Sequence, residues 1–330
     1  MKNVLIVGGA GYVGTVLTSH LLKNGYKVSV LDNFVYDNQY AIQPYIGDSE
    51  YTFIKGDLGK LKDLETASKG ITDVVILGGL VGDPITKTYP KESEMINDTG
   101  IQTCINFFKK KGIDKLIFVS TCSNYGLIKE DEIADESFAL NPLSLYSKSK
   151  VAAEIFLLSQ KQIADYTGVV LRFATAFGLS PRMRFDLSVS EFTCDLYFGK
   201  ELLVFDEHTW RPYCHVRDFA RLIELVLKAE KERVSFEIFN AGGDINNFTK
   251  KMIVDEIIKH HPEGKVKYSS QGSDPRNYRV SFAKVKSVLG FEPVYQVSDG
   301  IKELIEAFKL GMYKDAITNK NKYGNYVINY

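Results

Sequence analysis

Residues 3–14, NVLIVGGAGYVG, set an apolar run directly against three glycines spaced three apart, and the helix-like TVLTSHLL (15–22) follows at once. A chain that leaves a strand and enters a helix so abruptly needs unusual backbone angles at Gly8. It needs an approach free of Cβ at Gly11 and close helix–sheet contact at Gly14. The helix that starts there aims free N–H groups and a positive dipole end at the loop, which suits an anion. A glycine turn without a ligand would show the same spacing, so the neighbouring residues decide. Asp32 ends the next apolar run, KVSVLD, 18 residues after Gly14. A carboxylate there accepts hydrogen bonds from both hydroxyls of an adenosine ribose and repels a 2′-phosphate. Asp57, in KGD (55–57), ends a third run where an acidic side chain can meet adenine; an ordinary Gly-Asp turn is the other reading. Strand, loop, helix and Asp32 together predict a bound dinucleotide, NAD rather than NADP.

The alternation continues outward. YTFIKGD (51–57), DVVILGG (73–79), KLIFVST (115–121) and GVVLRFA (168–174) are separated by amphipathic segments, among them 61–69, 92–111 and 145–166. Val- and Ile-rich runs alternating with helices imply βαβ units and a parallel sheet buried on both faces. The expected fold is therefore α/β, a Rossmann-type doubly wound parallel sheet with a smaller C-terminal α/β substrate domain. Past Gly178 the strand-like pieces shorten (ELLVF, FEIFN, VKYSS), and helices are expected at 216–230, 249–260 and 298–310. This places the NAD-binding domain at 1–178, with later segments free to return to it, and mainly the substrate domain at 179–330.

Composition narrows the function classes. The chain has 330 residues, 45% of them hydrophobic, and equal numbers of cationic and anionic side chains, 41 each. A neutral chain has no whole-molecule attraction to nucleic acid or anionic lipid. Cys104, Cys122, Cys194 and Cys214 lack zinc-ligand spacing and read as reduced thiols of a cytoplasmic protein. The five histidines also lack ligand spacing, so no metal is expected. The N-terminus opens on strand and turn rather than a signal region, and no apolar stretch is long enough to span a bilayer.

YSKSK (146–150) places Tyr146 and Lys150 four residues apart, on one face if helical. A phenol has a pKa of about 10, and lowering it by about 3 units takes about 4 kcal/mol of extra stabilisation of the phenolate. An ammonium one turn away and the positive ring of an oxidised nicotinamide are suitable sources. The phenolate then takes a proton from a sugar hydroxyl while the hydride on the same carbon leaves to the cofactor. A surface i,i+4 pair is the plainer reading, and the position behind a dinucleotide loop, on the helix after KLIFVS, favours catalysis.

At this point the chain resembles the extended short-chain dehydrogenase/reductases of the nucleotide-sugar epimerase/dehydratase group over nearly its whole length. The marks are the glycine loop, Asp32, GD (56–57), LGGLVG (77–82), Asn97, VSTCSNYG (119–126), YSKSK, LRFATAFG (171–178), RPYCHVRD (211–218) and residues 274–293. The resemblance implies that Thr121 hydrogen-bonds the reacting hydroxyl, that Tyr146 is the acid/base, and that Lys150 lowers its pKa and holds the nicotinamide ribose. It implies NAD contacts at Gly8, Gly11, Tyr12, Val13, Gly14, Asp32, Asn33, Asp57, Leu58, Leu77, Gly78, Gly79, Asn97, Tyr146 and Lys150. Substrate contacts are implied at Val81, Thr121, Cys122, Ser123, Thr175, Arg182, Arg211 and Arg276, with Arg211 and Arg276 on the nucleotide diphosphate, which a guanidinium fork matches. It also implies a homodimer, with the helix carrying Ile101, Cys104, Ile105 and Phe108 against the Tyr–Lys helix; those four residues as core is the plainer reading.

Two departures bear on the reaction. The Asp and Glu that follow the Thr in sugar 4,6-dehydratases are here Cys122 and Ser123, which cannot act as a carboxylate acid and base. Some 3,5-epimerases carry a catalytic Cys in the slot of Ser123; Cys122 is one residue off, which turns a strand-end side chain to the other face, so its thiol reads as structural. What remains is chemistry at one carbon, C4 of a nucleotide-linked sugar, by a 4-epimerase or a 4-dehydrogenase/4-ketoreductase of surface-polysaccharide synthesis. The segments ATAFGLSPRMRFDLSVSEFT and RPYCHVRD resemble most the branch containing GDP-heptose 4-dehydrogenase. A non-catalytic NAD-binding scaffold is the rival, disfavoured because a binding module has no use for a tuned phenol.

Overall fold

The computed structural model describes residues 2–270, 272, 274 and 276–330; Pro275, inside the 274–293 segment, lies outside them. Its strands are β1 (Asn3–Val7), β2 (Lys27–Asp32), β3 (Tyr51–Lys55), β4 (Asp73–Ile76), β5 (Lys115–Thr121), β6 (Thr167–Phe173), β7 (Thr175–Phe177), β8 (Leu202–Phe205), β9 (Trp210–His215), β10 (Glu237–Ala241), β11 (Asn247–Thr249) and β12 (Val266–Ser269). Seven of them form one sheet in the order β10-β6-β5-β4-β1-β2-β3, and every pairing in it is parallel. Strands β5 and β6 are buried at every residue. The period of two explains how such a sheet is covered. Val4 and Ile6 point into one apolar layer with Leu17, Leu21 and Phe219, while Leu5 and Val7 point into the other with Ile101, Phe108, Ala153 and Leu157. Ile101, Cys104, Ile105 and Phe108 are thus fully buried core, and the helix that carries them spends this face on its own sheet.

The second half is less contiguous than a break at 178/179. FEIFN does not join the smaller domain: β10 pairs with β6, from Glu237 against Val169 to Ala241 against Phe173. The helix Val216–Lys228 packs on the helix Tyr12–Lys23. Without β10, the fully buried β6 would be an uncovered sheet edge. The smaller domain holds a three-stranded sheet, β11-β9-β7, and the parallel pair β12-β8. Its core is built from Phe177, Val189, Ile253, Ile257, Val297 and Ile301. The helix Ser188–Tyr197 escapes sequence reading because Ser190 and Thr193 are buried and blur the apolar period.

The order of the large sheet reverses between β1 and β4. At such a switch point the loops leaving the carboxyl ends of the strands diverge and open a crevice. The glycine loop, Asp32, the loop Leu77–Gly82, Thr121 and Thr175 all lie at that edge. No helix among the described residues is long and apolar enough to cross a membrane.

Candidate active site

The crevice is a cleft of about 590 Å³ running from the glycine loop to the smaller domain. Gly8 has φ +82°, and a Cβ on it would stand 2.5 Å from Gly78 Cα. A Cβ on Gly14 would lie 2.6 Å from the Gly9 main chain. Gly11 differs: its Cβ would meet Gly8 O at 3.3 Å and nothing else within 4 Å, so that side of the loop faces the open cleft. The helix Tyr12–Lys23 starts there with no side-chain cap, leaving its first N–H groups for an anion. These features fit the diphosphate of a dinucleotide. Asp32 lines the same end of the cleft, with its oxygens accepting from Ala10 N (3.0 Å) and Phe34 N (2.9 Å). Burial raises its pKa, and those two amides oppose the rise. Tyr12, Val13, Asn33, Leu58, Leu77, Gly78 and Gly79 also line the cleft.

Two residues expected to contact NAD, Asn97 and Asp57, make hydrogen bonds within the protein. Asn97 is buried, and its amide is taken up by Leu80 N (2.8 Å), Leu80 O (2.9 Å) and Ser93 Oγ (3.3 Å). It braces the loop Leu77–Gly82 from a widened helical turn, Glu94–Gly100. Asp57 accepts from Gly59 N (2.7 Å) and from the hydroxyl of Tyr330 (2.9 Å), a residue from the far end of the chain.

The helix Leu145–Ser159 starts on a capping box between Ser144 and Ser147, which fixes its first turn against β5. Tyr146 and Lys150 then face inward and Lys148 faces solvent. Lys150 Nζ donates to Val119 O (2.8 Å) and lies 4.8 Å from the Phe118 ring and 5.9 Å from the Tyr146 ring. Burial lowers the Lys150 pKa to about 8, against the pull of Glu154. Burial raises the phenol pKa of Tyr146. The leading opposing influences are the charge of Arg184 and the hydrogen bond with Thr121, while Asp83 and Tyr278 reinforce the rise. Thr121 Oγ1 accepts from Ser123 N (3.1 Å), which leaves its proton for Tyr146. Arg184 is the residue that sequence reading passed over. It forms a fork with Asp186 (2.9 and 2.6 Å), and the spacing R-x-R-x-D at 182–186 was its only signal.

Toward the smaller domain, Val81, Ser123, Thr175, Arg211 and Arg276 line the cleft. Arg211 Nη2 lies 3.1 Å from Asp274, and Arg276 pairs with Asp274 (2.8 Å) and Asp83 (2.9 Å). Those guanidiniums hold the Asp274 carboxyl well below the usual range. With Lys250, also in the wall, they make the cationic side of the cleft. Of the other two expected substrate contacts, Arg182 lines the cleft and Cys122 is buried beside it. The Cys122 thiol donates to Arg172 O (3.2 Å) inside the core, and burial pushes its pKa up. Cys122 opens the tight helical turn Cys122–Tyr125 that follows β5, and its thiol is buried there. Arg182 lies over the Tyr36 ring (5.0 Å) and donates to Gly324 O (3.0 Å), which puts it on the Asp32 side of the cleft.

Residues 4–242 match the model of the NAD dependent epimerase/dehydratase family. The chain belongs to that family. It is 25% identical to the UDP-glucose 4-epimerase of Corynebacterium glutamicum, with 88% of this chain and 90% of that protein covered. It is 26% identical to the dTDP-glucose 4,6-dehydratase of Bacillus anthracis, solved in complex with NAD, with a TM-score of 0.81 over 94% of this chain and 97% of that one. It shares its fold with the UDP-glucuronic acid 4-epimerase of Bacillus cereus, at 24% identity and a TM-score of 0.84 over 94% and 99% of the chains. The family makes the protein an NAD-dependent enzyme of the nucleotide-sugar epimerase/dehydratase type, and its members differ in reaction.

Proposed function

We propose that the protein acts at C4 of the sugar in a nucleotide-diphosphate sugar, as a 4-epimerase or a 4-dehydrogenase/4-ketoreductase of surface-polysaccharide synthesis. The observation that carries this reading is the convergence of Thr121, Tyr146 and Lys150 on one wall of a cleft whose other end is the glycine loop. Bound NAD⁺ supplies the hydride acceptor. The ionised Tyr146 takes the proton of the C4 hydroxyl, and Thr121 holds that oxygen in line. Lys150, Arg184 and Thr121 favour the phenolate against burial. Arg211, Arg276 and Lys250 hold the diphosphate and so fix the sugar's reach into the cleft. Dehydration is disfavoured because Cys122 is turned into the core and Ser123 pairs with the Tyr278 hydroxyl (3.2 Å), so neither supplies a carboxylate. The homodimer is proposed through the outer faces of the two helical segments, where Met95, Leu145 and Ile155 are exposed.

The test is absorbance near 340 nm on mixing the protein with GDP-, UDP-, CDP- and dTDP-sugars. Lasting growth marks net oxidation, and a new isomer without growth marks epimerisation. No absorbance change and no new isomer with any sugar sinks the proposal. Tyr146→Phe is expected to lower turnover by about 10²–10⁴-fold while NAD stays bound. Unchanged turnover would remove Tyr146 as acid/base.

A further inference from the structure

We propose that the C-terminal segment, residues 324–330, is a built part of the cofactor site: a clasp that closes the dinucleotide cleft and retains its occupant. The inference rests on the NAD reading above. TNKNKYGNYVINY is polar and rich in Tyr and Asn, a composition that gives a chain end little reason to order. Ordering one residue costs about 1–2 kcal/mol, so a terminal heptapeptide stays in place only where each part has a partner.

Five of these seven residues, Gly324, Asn325, Ile328, Asn329 and Tyr330, have such partners, and the partners belong to the loops around the cleft. Gly324 O accepts from Arg182 (3.0 Å). Asn325 N donates to Asp186 (3.2 Å), the carboxylate that pairs with Arg184, and Asn325 Nδ2 donates to Val81 O (3.1 Å). Ile328 is buried with Leu80, Ile85 and Ile96, and Val35, Tyr36 and Leu58 pack on that cluster. Asn329 N donates to Val35 O (2.8 Å), its side chain meets Asp37, and the Tyr330 hydroxyl donates to Asp57. The segment therefore ties together the loops after β2, β3 and β4 at the edge where the glycine loop and Asp32 stand.

A second observation points to a ligand. Asn325 is only 7% exposed and lines the cleft, yet its Oδ1 has no hydrogen-bond partner among the described residues. A buried unpaired carbonyl costs about 1–3 kcal/mol. With Nδ2 committed to Val81 O, the amide cannot turn over without setting two carbonyl oxygens against each other. A hydroxyl or amide N–H of the bound dinucleotide would satisfy it.

The experiment compares the full chain with a truncation after Gly324 and with Ile328→Asp, using NADH fluorescence for affinity and release rate and thermal unfolding for the fold. Both variants are expected to unfold within a few degrees of the full chain and to release NADH about tenfold faster or more. A truncated, folded chain that binds and releases NADH as the full chain does overturns the clasp. So does tighter binding after truncation, because the segment would then stand in the ligand's place. A full chain that binds no NADH overturns the cofactor reading itself, a result distinct from equal binding by both.

Discussion

One arginine–carboxylate fork is enclosed in the core and another lines the cleft, and they do different work. Arg172, on β6, and Glu154, on the helix Leu145–Ser159, have side-chain exposures of 4% and 2% and contacts of 2.8–3.2 Å. Glu154 also accepts from Ser120 Oγ (2.5 Å) and Asn124 Nδ2 (2.7 Å), and Arg172 donates to the Tyr125 hydroxyl (3.0 Å). This pair is closed on itself and fixes the end of β5 that carries Thr121. Arg184 and Asp186 make a similar fork but line the cleft, where the arginine's charge acts on Tyr146. The same chemistry serves as scaffold when surrounded by protein and as a tuning charge when one side is left open.

The largest expected effect breaks the closed pair. Glu154→Ala strands Arg172 in the core and is expected to cost about 3–5 kcal/mol. Replacing both partners, as in Glu154→Leu with Arg172→Met, is expected to recover much of that loss, since the stranded charge goes with its partner. Urea midpoints for the three proteins measure it, and a single variant within about 1 kcal/mol of the parent would show that the fork carries little.

The open pair is expected to respond in function more than in stability. Arg184→Gln leaves Asp186 at the cleft wall with Asn325 N–H still donating, so a cost of about 1–2 kcal/mol is expected. Removing the cation raises the phenol pKa further, so the rising limb of kcat/KM against pH should move to higher pH by about one unit. Arg184→Lys should restore most of the shift. A limb that stays in place in Arg184→Gln would reduce Arg184 to a wall residue.

The pairs also differ in how visible they are in sequence. Glu154 follows Lys150 by one helical turn and Arg172 stands in an apolar strand, so periodicity turns both inward. Arg184 and Asp186 lie between β7 and the helix Ser188–Tyr197, where no period shows which side chain faces the cleft. The glycine loop, Asp32 and the Tyr–Lys pair are legible for the first reason, since each is fixed by local backbone geometry. The pairing of Asp57 with Tyr330 and the return of β10 are not, because the partners are distant in sequence. The chain end is the extreme case, since Asn329 meets Asp37 across 292 residues.

Lys150 sharpens the comparison as a buried cation held by a neutral group, Val119 O, rather than by a carboxylate fork. Its pKa falls to about 8 from an ordinary 10.5. Below pH 8 both folded and unfolded chains carry the proton, and folding buries a charge that water would solvate. Between about pH 8 and 10.5 the folded lysine is neutral while the unfolded one still binds its proton, so stability rises with pH across that window. Lys150→Met abolishes this dependence. At pH 7, with bound dinucleotide removed, the variant is expected to be more stable by about 1–3 kcal/mol, the buried-charge cost less one hydrogen bond to Val119 O. That gain should shrink toward pH 10 while turnover stays low throughout. A variant less stable than the parent at pH 7, by a margin that does not change up to pH 10, would mean that the ammonium is stabilised where it sits. The burden of a lone buried charge would then not be what the active site accepts in return for a cation beside its phenol.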